Sequence, residues 1–118
     1  MSSNIEIRKV AERLNLPNFH CITRDELKNI PMTEIMNIVM NTCHTKDERN
    51  QIYHWVCVYK LKDKRYHFCS FGAVVFQEVI DYFKGFDIST SNFRIQNWKS
   101  SDCGSYCLVV LYLLNMKI

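Results

Sequence analysis

The sequence predicts an α+β fold in which a small antiparallel-dominated sheet packs against a central helix. Three observations predict it. Apolar residues recur at helical spacing near the N-terminus and again from Val74 to Phe83. Between these segments, Tyr53–Leu61 and Tyr66–Phe71 are rich in β-branched and aromatic residues and flank a charged turn at Lys62–Arg65, which is a hairpin signal. Beyond its first turn, Asp102–Asn115 is continuously apolar and is preceded by Ser100 and Ser101, so it reads as a buried helix capped at its start. Helices, then strands, then helix, strand and helix is an α+β order.

Taken along the chain, Asn4–Leu14 carries Ile7, Val10 and Leu14 on one helical face and stops at Pro17. Arg24–Ile30 suits a short helix ending before Pro31, and Thr33 is placed to cap a helix over Glu34–Met40. Asn41–Gln51 is polar and predicts a loop. After the hairpin, Val75, Val79, Ile80 and Phe83 mark an amphipathic helix, and Phe93–Gln96 is a short strand.

The chain has 118 residues, which suits a single domain over 1–118. It is 47% hydrophobic, enough for a real core, although a domain of this size buries less of its surface than a larger one. Stability is therefore expected to be modest unless a partner helps. The net charge is +3, with the signs interleaved. The densest basic run, Lys60, Lys62, Lys64 and Arg65, is broken by Asp63 and reads as a solvated turn. Nucleic-acid binding has weak support, because no long basic tract carries interleaved aromatics. No apolar stretch approaches the length needed to cross a bilayer. Met1–Arg13 is polar and does not resemble a signal peptide. Of the six cysteines, Cys57, Cys69 and Cys107 sit in apolar segments, where reduced thiols act as small hydrophobes. A reducing, intracellular setting is the expectation.

Cysteines and histidines first raise a structural metal. Zinc needs four ligands, usually as two short-spaced pairs. Cys103 and Cys107 form one such pair, no second pair matches it, and Cys43 and His44 are adjacent. No metal or cofactor is expected. Nucleophilic catalysis fits better. Cys103 opens the last helix, where free N–H groups and the helix dipole favour a thiolate, and Gly104 lets backbone approach closely. His54, at the start of a strand, is the best-placed base.

Four segments in order carry a family resemblance. They are Asn18-Phe19-His20-Cys21-Ile22-Thr23-Arg24-Asp25-Glu26-Leu27, His54-Trp55-Val56, Phe68-Cys69-Ser70-Phe71-Gly72, and Gln96 followed by Asp102-Cys103-Gly104-Ser105-Tyr106-Cys107-Leu108. Over residues 19–114 the chain resembles the adenovirus-type cysteine peptidases, a group that includes SUMO-specific proteases and the proteases of viral-like transposons. The resemblance implies a near-minimal, papain-type arrangement and hydrolysis of peptide or isopeptide bonds, with small residues such as Gly at the cleaved position. The implied substrates are viral or transposon structural proteins or ubiquitin-like conjugates, in host cytoplasm, nucleus or virion. Cys103 would be the nucleophile, His54 its base, and Gln96 an oxyanion donor beside the Cys103 N–H. Trp55 would either wall a substrate channel or pack in the core.

Two departures stand out. The family usually carries Asp or Glu where this chain has Cys69, and a thiol orients an imidazole weakly. The resemblance then leaves a Cys–His dyad, another acid such as Asp63 or Asp102, or a silent copy acting as a protein-binding module. The chain is also short for the family, so a partner or a second copy is expected to supply missing surface, and no site for an activating peptide or DNA is evident.

Overall fold

The computed structural model describes residues 4–42, 54–69, 75–84, 87–90 and 103–116. In chain order these form α1 (Asn4–Arg13), β1 (Phe19–Thr23), a 3-10 helix (Arg24–Asn29), β2 (Ile35–Asn41), β3 (Trp55–Leu61), β4 (Lys64–Phe68), α2 (Gln77–Tyr82), β5 (Ser89–Thr90) and α3 (Cys103–Met116). The strands make one sheet in the order β1-β2-β3-β4-β5. The class is α+β, as the sequence predicts. The sheet is mixed rather than antiparallel-dominated: β2–β3 and β3–β4 are antiparallel, while β1–β2 and β4–β5 are parallel.

Two apolar layers sandwich the sheet. Trp55, Cys57 and Tyr59 of β3 turn to one face, with α1 and α3, and pack with Ile7, Ala11, Cys107, Leu108 and Leu111. Val56 and Val58 turn to the other face, toward Leu27 of the 3-10 helix and Val79 of α2. The strand period of two residues imposes this division.

Local signals hold well at α1. Ile7 and Ala11 are buried, and Asn15 terminates the helix with a left-handed φ of 55°, a conformation asparagine tolerates. The hairpin is tighter than the sequence predicts. Leu61 pairs with Lys64, so Lys62 and Asp63 alone make the turn, and Lys62 takes a φ of 53°.

Three expectations are corrected. Glu34–Met40 is not a helix, since Ile35–Asn41 is the strand β2. Met36, Ile38 and Met40 enter one layer and Val39 the other, so a strand covered on both faces lost the alternation that would have marked it. No local signal in the sequence predicts the strand β1 over Phe19–Thr23. The basic run is only partly solvated: Lys60 is buried and donates to the carbonyl of Thr33 at 2.6 Å, and buried Arg65 donates to that of Asp63 at 2.6 Å while lying over the Phe83 ring. In addition, α3 is not buried all round. Val109, Tyr112, Leu113 and Met116 are exposed along its outer side.

Among the described residues no helix is long and apolar enough to cross a membrane. The expected loop over 41–51 and the expected strand Phe93–Gln96 fall wholly or mostly outside the described residues.

Candidate active site

Cys103 is the first residue of α3, the helix that lies along β3 and β2. Its position follows from burial of the helix face that contains Cys103, Cys107, Leu108 and Leu111. That face lays the helix N-terminus against the start of β3. There the backbone N–H of Trp55 donates to Cys103 Sγ, with N and S 3.3 Å apart. The N–H groups of Gly104 and of Cys103 itself also reach the sulfur.

His54 immediately precedes β3, and its carbonyl accepts the N–H of Thr42 at 2.9 Å. Its Nε2 lies 3.0 Å from Cys69 Sγ, just beyond the end of β4. Nδ1, the other ring nitrogen, is a buried atom. The structure therefore gathers Cys103, His54 and Cys69 at one end of the sheet. Cys69 is near enough to Cys103 to disfavour a thiolate there.

The electrostatics run against a resting ion pair. Burial pushes the Cys103 thiol up from its ordinary value, against the pull of the three N–H groups of Trp55, Gly104 and Cys103. Burial also holds His54 down at about 4. The helix N-terminus does favour the thiolate, as expected from sequence, but desolvation outweighs it. At neutral pH the pair is thiol and neutral imidazole. Cys103 is only 2% exposed.

The remaining sequence-derived positions divide clearly. Gly104 is buried beside Cys103, where a small residue lets the strand backbone come close. Trp55 is 4% exposed and packs in the core layer under α3, so its side chain forms core and its N–H serves the sulfur. Gln96 and Asp102 lie outside the described residues. Asp63 is no substitute acid, because it sits past the opposite end of β3, about 20 Å along a seven-residue strand from His54. The contribution of the Trp55 backbone was not legible in sequence, since it depends on where α3 crosses β3.

Five cysteines are described, and all are free thiols. Among the described residues no three His, Cys, Asp or Glu side chains are grouped so as to hold a metal ion. A cavity of about 530 Å³ lies between the 3-10 helix and α2. Arg24, Asp25, Lys28, Glu78, Asp81 and Tyr82 line it, and Cys103, His54 and Cys69 do not.

No model of a known protein family matches the chain, and no curated protein matches it. The resemblance to adenovirus-type peptidases rests on the four segments of this sequence.

Proposed function

We propose that the chain is a small cysteine peptidase of the adenovirus-type and SUMO-protease-type kind, working through a Cys103–His54 dyad. One observation carries the reading. At a single end of the sheet, the thiol that opens α3 lies against the residue following His54, while the imidazole of His54 lies against Cys69. Those are the neighbourhoods that the motif resemblance assigns to nucleophile, base and orienting residue.

The chemistry fits a neutral dyad. With the Nε2–H of His54 donating to Cys69 Sγ, the ring carries its lone pair on Nδ1, the state a general base needs. His54 Nδ1 takes the Cys103 proton as Sγ attacks the scissile carbonyl carbon. The oxyanion is met by the Cys103 N–H and, on the motif match, by the Gln96 side-chain amide. The imidazolium then gives its proton to the leaving amine, and the acyl group remains on Cys103 as a thioester. Water, deprotonated by His54, attacks that thioester. The C–S bond breaks, the acid product leaves, and the expelled Cys103 thiolate takes the proton back from His54. The bond cleaved is a peptide or isopeptide bond after a small residue such as Gly, in a viral or transposon structural protein or a ubiquitin-like conjugate. The Asn18–Leu27 segment favours the structural-protein substrates.

A second reading has an observation of its own. Burial raises Cys103 and lowers His54, and a thiol and imidazole kept without activation describe a protein-binding module. A cleavage profile on a peptide library, run beside Cys103→Ala, separates the two. Cleavage after small residues that vanishes in Cys103→Ala establishes the peptidase. No cleavage, together with slow alkylation of Cys103 near neutral pH, establishes the silent module.

A further inference from the structure

Trp55 of β3 stands opposite Asn41 of β2, and Thr42 donates its N–H to the carbonyl of the preceding residue, His54. That pattern marks a non-hydrogen-bonded pair, so both the N–H and the C=O of Trp55 point away from β2. On the other side β4 pairs with β3 only as far as Phe68 opposite Cys57 among the described residues. Two thiols of α3 meet these groups of Trp55. Cys103 Sγ accepts the N–H at 3.3 Å, and the Cys107 S–H donates to the carbonyl at 3.4 Å. Residues four apart on a helix share one face, so α3 meets both the N–H and the C=O of a single strand residue. A third thiol, that of Cys57, hydrogen-bonds Cys107 from β3.

We infer that Cys107 is a positioning residue for the nucleophile, its thiol pinning the Trp55 carbonyl so that the Trp55 N–H stays aimed at Cys103 Sγ. The His54 carbonyl is pinned by Thr42 and the Trp55 carbonyl by Cys107, which leaves the intervening N–H little freedom to rotate. A fixed N–H is worth more to a forming thiolate than a mobile one, because it need not reorganise as charge develops. The peptide that carries this N–H also carries His54, so the same contact sets the spacing of nucleophile and base. The inference rests on the reading of Cys103 as the nucleophile.

The test compares Cys107→Ala, which removes the donor, with Cys107→Ser, which keeps one. Iodoacetamide alkylation of Cys103 is followed against pH by peptide mass spectrometry on the full chain. Cys107→Ala is expected to slow Cys103 alkylation at neutral pH roughly threefold to tenfold and to move its midpoint upward. Cys107→Ser is expected to restore most of the rate even where its melting temperature falls. Equal rates in all three proteins, or equal losses in Ala and Ser, overturn the inference, because a packing role alone would move only stability. Should Cys107→Ala fail to fold, the unaltered protein decides by NMR. The Trp55 amide must then be protected from exchange and shift as Cys103 titrates, and an amide that exchanges freely and ignores that titration overturns the inference. None of these readouts needs peptide cleavage. Alkylation as expected with no cleaved peptide sinks the peptidase reading and leaves the Cys107 contact standing.

Discussion

His54 Nε2 lies 3.0 Å from the Sγ of Cys69, so the atom that meets the outer side of the imidazole is a sulfur. Cys69 is fully buried and shares its layer with Val56, Val79 and Phe83. A carboxylate there would stabilise an imidazolium, whereas a thiol leaves burial to hold His54 at about 4. Cys69→Asp is expected to raise the Cys103 alkylation rate near neutral pH and to lower the melting temperature. Cys69→Ala should change the rate much less. A lower melting temperature with no gain in rate would mean that position 69 serves packing alone.

Cys103→Ala is expected to abolish cleavage and Cys103 labelling while shifting the melting temperature by only a few degrees, since one sulfur atom is removed from the helix end. Gln96→Ala should lower turnover about 10²–10³-fold with the fold intact, as for loss of one oxyanion donor. Unchanged turnover would remove Gln96 from the site. Both variants are read by steady-state kinetics alongside thermal melts.

Acid should destabilise the fold in a defined window. Burial lowers both His54 and His67 from 6.5 to about 4, and in His67 the charge of His54 adds to the effect. In the unfolded chain these imidazoles bind protons near pH 6.5, and in the folded chain only near pH 4. The stabilisation they represent is therefore complete above pH 6.5 and is lost progressively as pH falls toward 4. Denaturant midpoints taken across that range should fall, and His67→Phe should flatten the decline. An equal slope in that variant would exclude His67 as a source.

Asn37 is fully buried in β2, where its side chain donates to the Pro17 carbonyl at 2.7 Å and accepts from Asn115 of α3 at 2.7 Å. Asn37→Ala strands the Pro17 carbonyl and unties α3 from β2. It should cost roughly 2 kcal/mol or more in urea unfolding, from unsatisfied polar groups plus lost volume. A smaller loss than that of Asn115→Ala would show that Asn37 is not the hub of this contact.

Sequence by itself determined what short-range physics determines. Helical spacing gave α1 and α2, a continuous apolar run behind Ser100 and Ser101 gave α3, β-branched and aromatic runs gave the β3–β4 hairpin, and Pro31 bounded the short Arg24–Asn29 helix. Cys103 was legible as a helix-opening thiol and His54 as a strand-leading imidazole, because residue type and local position carry that much. Only the tertiary structure decided the remainder. Residues 35–41 became a strand because both faces are covered, and no local period records cover on two sides. The parallel pairing of β1 with β2 joins segments whose match appears only once the sheet exists. Trp55 went to the core, and its N–H reached Cys103, because α3 lies along β3 with its first residue against the start of that strand. The state of the site was likewise decided in three dimensions. A helix N-terminus lowers a thiol and a strand leaves an imidazole unchanged, but removing both from water raises the one and lowers the other, and burial is a property of the whole fold.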